Sequence, residues 1–181
     1  MTAPRPYRIV QAADEHARGL AECHIACWRE AYRGLVPNHV LDAFDIGQRT
    51  EIWTRRLREN SGRTTVALAD DTVIGFITLG PALYRPVVTP LELNALYVRS
   101  SWYGSGVAHD LVQTTLNPET PCSLWVFERN PRAIAFYRKY GFTPDGATRT
   151  EHFATVTELR MVRPEGAIGS WPWPPPNKPS T

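Results

Sequence analysis

Val98–Val112 reads VRSSWYGSGVAHDLV and sets two glycines, Gly104 and Gly106, between a strand-forming run and a helix-forming one. Upstream, Leu91–Val98 (LELNALYV) is rich in β-formers, and downstream the stretch from Gly104 to Leu116 carries apolar residues at helical spacing. Glycine at such a junction lets a ligand approach backbone amides, because no Cβ intervenes and a helix N-terminus favours negative charge. A dinucleotide fingerprint needs a third glycine where His109 stands and a tighter turn than Arg99–Tyr103 allows. A P-loop needs Lys and Ser/Thr after the glycines, and Ser105-Gly106-Val107-Ala108 supplies neither. There remains a diphosphate held by successive amides of Gly104, Ser105, Gly106, Val107 and Ala108, against the plain alternative of a structural turn.

Around this junction the chain alternates between the two periodicities. Tyr7–Gln11 reads as a first strand, and Asp14 as the cap of a helix whose apolar positions Leu20, Cys23/His24, Cys27/Trp28 and Ala31 recur to Tyr32. Gly34 and Pro37 end that helix, and Asn38 and Asp45 are candidate caps for two shorter ones. TTVALA and VIGFITLG, turning at Asp70 and Asp71, read as a β-hairpin, followed by the proline-punctuated loop PALYRPVVTP. CSLWVF reads as a buried strand, and NPRAIAFYRKYG as a helix with Pro131 in its first turn and Gly141 as its stop. Phe142–Thr150 and Phe153–Val162 read as two closing strands. The order predicts a mixed α/β sheet with helices on its faces.

At 181 residues and 43% hydrophobic content the chain suits one compact domain, taken as residues 1–163, before a tail at 164–181 that is rich in proline and carries Trp171 and Trp173. A formal charge of +2 gives no electrostatic case for nucleic acid or an anionic membrane, and no run of about 18 apolar residues suggests a span or export signal. Cys23, Cys27 and Cys122 are too few for a disulfide framework and suit a reducing cytoplasm as buried thiols. His24 lies off the edge shared by Cys23 and Cys27, and no second ligand pair follows, so a metal site lacks donors.

A second stretch, LWVFERNPRAIAFYRKYGF (Leu124–Phe142), carries Asn130, Ala133, Phe136, Tyr137, Gly141 and Phe142 in the spacing Asn-x-x-Ala-x-x-Phe-Tyr-x-x-x-Gly-Phe. Together with Tyr103-Gly104-Ser105-Gly106-Val107-Ala108, it resembles the acyl-CoA-binding signatures of the GNAT superfamily of N-acetyltransferases, in the same order and with the same surrounding elements. Tyr103 stands where that family carries a basic or amide side chain, which leaves the diphosphate charge to Arg99 or to the amides alone.

The resemblance implies a GNAT fold: a mixed, mostly antiparallel sheet splayed between its fourth and fifth strands, with helices on both faces. It implies acetyl-CoA as cofactor, its pantetheine arm entering the splay between Leu96–Val98 on one strand and Trp125–Phe127 on the other, near Asn130, Ala133 and Phe136. It implies direct acetyl transfer to a primary amine in a ternary complex. Tyr137 is then the acid for the leaving thiolate and Glu92 the base, with an amide near Leu96 or Tyr97 as the oxyanion donor. By strand alternation Glu92 shares a face with Asn94, Leu96 and Val98. Cys122 has no matching histidine for a covalent route. CWREAYRGLVP also resembles a bacterial GNAT subgroup and nominates His24, Trp28 and Tyr32, four apart on one helix face, as an acceptor wall with Tyr84 and His152. Homodimers are common in that family. Protein N-termini, lysines, aminoglycoside-like antibiotics and aminoacyl-tRNA are alternative acceptors, and a non-catalytic acyl-CoA sensor is the rival reading.

Overall fold

The computed structural model describes residues 7–59, 63–83, 85–151 and 156–165. Its elements follow the predicted order. Strand β1 (Arg8–Gln11) leads through a 3-10 turn at Asp14–His16 into helix α1 (Ala17–Tyr32), then α2 (Asn38–Asp42) and α3 (Ile46–Glu59). Strands β2 (Arg63–Ala69), β3 (Thr72–Gly80) and β4 (Leu91–Val98) follow, and a second 3-10 turn, Ser100–Trp102, precedes α4 (Val107–Thr115). Strand β5 (Cys122–Phe127), helix α5 (Pro131–Arg138), β6 (Thr143–Glu151) and β7 (Val156–Arg163) close the domain. The tail tryptophans lie outside the described residues.

The seven strands form one sheet in the order β1-β2-β3-β4-β5-β7-β6, antiparallel except where β4 runs parallel to β5. Helices α1 and α3 cover one face, with Leu20, Ala21, Cys27 and Trp53 packed on Val66, Leu68 and Phe76. The second face buries Leu111, Val112, Tyr137 and Tyr140 from the α4 and α5 side against Ile77, Leu93 and Leu124. Cys23 and Cys27 are buried in the first of these cores, free thiols as expected. Among the described residues no helix is long and apolar enough to cross a membrane.

Local signals set the element boundaries. Asp45 caps α3, its Oδ1 accepting the Gln48 amide at 2.7 Å, and Pro131 fills the first turn of α5 behind Asn130, whose Oδ1 accepts the Ala133 amide at 3.2 Å. Asp14 does not cap α1. It lies in the 3-10 turn and pairs with Arg58 at 2.8 Å, leaving the helix to start at Ala17 without a side-chain cap. Asp70 and Asp71 take positive φ (45° and 61°) and turn the β2–β3 hairpin where the sequence placed it.

Two irregularities shape the centre of the sheet. On β4, Thr78 pairs with Ala95 while Leu79 pairs with Leu93, so Asn94 is the extra residue of a bulge. Beyond it the alternation is inverted: Leu93, Leu96 and Val98 pack toward α4 and α5, whereas Ala95 and Tyr97 pack toward α1 and α3. Glu92, next to Leu93, therefore does not share a face with Leu96 and Val98, which corrects the reading by simple alternation. The second irregularity is the β4–β5 pairing itself. It lasts for Leu91, Glu92 and Leu93 against Cys122, Ser123 and Leu124, and then the two strands part.

Candidate active site

Where β4 and β5 separate, a cavity of about 920 Å³ opens, reaching from α4 and α5 through the splay to α1 and α3. That volume suits a large ligand with room beside it for a second, smaller one. The residues lining it include Leu96, Tyr97 and Val98 on one parted edge and Trp125, Val126 and Phe127 on the other.

At the α4 end stand the glycines. Gly104 and Gly106 take φ of +76° and +96°, a region that L side chains rarely adopt, so these positions require glycine. A Cβ at Gly104 would meet nothing within 4 Å, so it is the positive φ and not crowding that calls for glycine there. The Ser105 amide, by contrast, donates to the Trp102 carbonyl at 3.3 Å. That withdraws Ser105 from the predicted row of amides, because the 3-10 turn claims it. The amides of Gly104, Gly106, Val107 and Ala108 donate to no backbone carbonyl among the described residues, as expected before and within the first turn of a helix.

The charge at this end differs from the sequence expectation. Arg99 is committed to Glu30 on α1, Nε to Oε1 at 2.9 Å, and the other Glu30 oxygen accepts the Ser100 amide at 2.7 Å. Arg99 therefore fastens the turn to α1 and is not the open cation of the site. Arg132, at the start of α5, places its guanidinium 3.4 Å from the centroid of the Tyr103 ring. Tyr103 thus carries no charge of its own but presents one, since its ring face attracts and orients a guanidinium that lines the cavity.

Midway along the cleft Tyr137 projects from α5. It is buried, with only 8% of its surface exposed, and its ring lies 6.0 Å from Phe142 and 5.6 Å from Phe136. Its hydroxyl has no hydrogen-bond partner among the described residues, although the side chain lines the cavity. Burial first, then the neighbouring Tyr32 hydroxyl and Cys122 thiol, raise its pKa well above the usual phenol value. Tyr137 therefore holds its proton at neutral pH. Asn130 lines the cavity with its Oδ1 occupied by the α5 cap, leaving its NH2 group for a ligand, and Ala133 and Phe136 form the adjacent wall.

Glu92 lies at the closed end of the splay and is 4% exposed. Burial raises its pKa, opposed by the Leu83 amide, by Asn94 Nδ2 donating to Oε1 at 3.1 Å, and by Arg149 and Arg160 nearby. A carboxylate raised in this way is a better proton acceptor at neutral pH than an exposed one.

The remaining wall is aromatic. His24, Trp28 and Tyr32 on α1 line the cavity in a chain of tilted and edge-to-face contacts: His24 to Trp28 6.2 Å, Trp28 to Tyr32 5.0 Å, Tyr32 to Phe127 4.7 Å. Because the Asn94 bulge turns Tyr97 toward this side, its ring lies 5.2 Å from His24 and its side chain belongs to this wall. Tyr84 and His152 lie outside the described residues.

Several lining residues escaped the sequence reading. Arg49 on α3 was not singled out, although it precedes the buried Trp53 by four residues and so shares its face. That spacing is the signal that marks it. Arg149 and Glu158 reach Trp125, itself expected on the parted edge, only through strand pairing: Arg149 is paired with Glu158 at 2.5 Å and lies 4.4 Å over the Trp125 ring.

Comparison with known proteins agrees with this geometry. Residues 60–144, which include both glycine-bearing motifs, match the family described as acetyltransferase (GNAT) domain. A probable N-acetyltransferase of Mycobacterium tuberculosis, Rv2775, is 27% identical over 151 residues, covering 81% of this chain and 86% of the relative. Among solved structures, PaiA N-acetyltransferase from Thermoplasma acidophilum in complex with coenzyme A is 19% identical, with a TM-score of 0.63 over 86% of this chain and 98% of that one. A ribosomal-protein-alanine N-acetyltransferase from Brucella melitensis has a TM-score of 0.64 at 19% identity, over 86% of this chain and 98% of that one. The segment bearing both motifs matches the GNAT acetyltransferase family, and the chain has the GNAT fold.

Proposed function

We propose that the protein is an N-acetyltransferase that moves the acetyl group of acetyl-CoA directly to a primary amine, with both substrates bound together in the cleft. The observation that carries this reading is the parting of β4 from β5 beyond Leu93 and Leu124. It joins the α4 end, where Tyr103 and Ala108 line the cavity, to Tyr137 and Glu92 farther along.

The residues present fit acetyl-CoA. The amides of Gly104, Gly106, Val107 and Ala108, with Arg132 on the Tyr103 ring, would hold the diphosphate. The parted edge at Leu96–Val98, with Asn130, Ala133 and Phe136, would flank the pantetheine arm. When bound, acetyl-CoA supplies a thioester carbon open to attack by an amine. Glu92 takes the proton that an ammonium must lose, directly or through water, and its burial favours accepting it. A β4 amide near Leu96 or Tyr97 stabilises negative charge on the carbonyl oxygen. Tyr137 holds a proton for the departing sulfur. Cys122 takes no part: it is fully buried and burial pushes its thiol up to about 11, the opposite of an activated nucleophile.

The test is thiol release from acetyl-CoA across amino acids, polyamines, aminoglycosides and peptides with free N-termini, alongside calorimetry with CoA. Release with at least one amine supports the proposal. Tight CoA binding with no release for any of them would replace it with the sensor reading.

A further inference from the structure

The acceptor half of the cleft holds an unbalanced positive charge. Arg49 projects from α3 into the cavity, half-buried, with its guanidinium 5.1 Å over the Phe44 ring. Among the described residues it forms no ion pair and none of its side-chain donors is taken by a protein acceptor, which separates it from Arg99 and Arg149 in the same cavity. No carboxylate is among the groups that act on its charge. Arg56 disfavours its charge, and His24, lowered to about 3 by burial and by these two arginines, stays neutral. The His24 Nδ1 is buried without a hydrogen-bond partner. A half-buried guanidinium has five donors in a fork that matches a carboxylate, and removing such a group from bulk water without a partner is unfavourable unless a ligand supplies one.

The same cavity carries the opposite sign elsewhere. Glu92 and Glu158 line it on the β4 and β7 side, and Glu158 is already held by Arg149. An ammonium near Glu92 and an anionic group near Arg49 would each meet a complementary partner in a cavity that His24, Trp28 and Tyr97 also line.

Building on the acetyltransferase reading above, we propose that the acceptor is a small amino carboxylate, an amino-acid-like molecule whose carboxylate is gripped by Arg49 while its amine faces Glu92. A simple alkylamine or polyamine would leave Arg49 without a counter-charge and bring its own positive charge toward it.

The experiment uses matched acceptors that differ at the carboxylate alone: phenylalanine, phenylalaninamide and phenethylamine; lysine, lysinamide and cadaverine. Thiol release from acetyl-CoA gives kcat/KM for each with the parent enzyme and with Arg49→Gln and Arg49→Lys. The inference expects the carboxylate member of at least one set to be preferred tenfold or more, with the difference in KM. It expects that preference to fall to within about twofold of unity in Arg49→Gln and to be partly kept in Arg49→Lys. CoA affinity, measured by calorimetry on each variant, reports that the fold is kept. Equal use of the members of both sets, or a preference that survives Arg49→Gln, overturns the amino-carboxylate assignment and leaves the transferase reading standing. No release with any amine overturns both.

Discussion

Replacing Tyr137 with phenylalanine removes one oxygen from the middle of the cleft and little else. The hydroxyl has no partner among the described residues, so no hydrogen bond is lost. The ring contacts with Phe136 and Phe142, at 5.6 and 6.0 Å, remain available to phenylalanine. Stability is therefore expected to stay within about 0.5 kcal/mol, a Tm change on the order of 2 °C. Turnover should respond very differently. Without the phenol the sulfur must leave as an unprotonated thiolate or take its proton from water, and losing a positioned acid costs ~10²-fold or more, about 2.7 kcal/mol of barrier. The raised pKa of Tyr137 places the effect toward the lower end of that range, because a more basic phenol is a weaker proton donor. It also means that the acid remains protonated across the ordinary assay range, so the deficit should be nearly constant from pH 6 to 9. The assay is steady-state thiol release at saturating acetyl-CoA and amine, with CoA affinity measured separately. A Tyr137→Phe enzyme that binds CoA and turns over at the parental rate would refute the assignment.

Glu92→Gln should abolish the rising limb of the pH–kcat/KM profile, which in the parent lies above the usual carboxylate range because burial raises the group. The same shift bears on folding: a raised folded pKa gives stability that is present below about pH 4.3 and is lost as pH rises through the folded value. The glutamine variant should therefore gain in urea midpoint relative to the parent near pH 7 and lose that gain at pH 4. Arg132→Gln should raise KM for acetyl-CoA roughly tenfold, and the deficit should shrink at high salt, since the guanidinium is exposed; a salt-independent or absent effect would detach Arg132 from the diphosphate. Gly104→Ala meets no steric obstacle but forces a positive φ on alanine, so it should destabilise by about 1 kcal/mol and weaken CoA binding; unchanged calorimetry would remove that amide from the cradle.

Most of the framework was legible because its signals are local. The cap at Asp45, Pro131 in the first turn of α5, the Asp70–Asp71 turn and the glycines before α4 each act within a few residues. What could not be read depends on partners distant in sequence. Arg99 was a reasonable anion-binding cation until Glu30, 69 residues earlier, was found holding it. Arg132 could be read from the sequence only as one of several basic residues around the second motif's helix; what distinguishes it is its contact with Tyr103, 29 positions before it by number, across two intervening elements. The Ser105 amide looked open because a short 3-10 turn leaves no pattern in composition. Arg49 drew no notice because a charge on an amphipathic helix carries no mark of the cavity it enters. Glu92 was placed on the wrong side because alternation assumes an uninterrupted pleat, and Asn94 interrupts it.

That one inserted residue separates two inheritances along a single strand. Residues before Asn94 and after it answer to opposite helical layers at the same parity, so the acyl-donor channel and the chamber for the incoming nucleophile draw their linings from interleaved positions that can vary independently. Deleting Asn94 would make Leu93 and Ala95 consecutive and restore a regular pleat, keeping Leu96 and Tyr97 on their present sides while removing the local bend that the extra residue puts into β4.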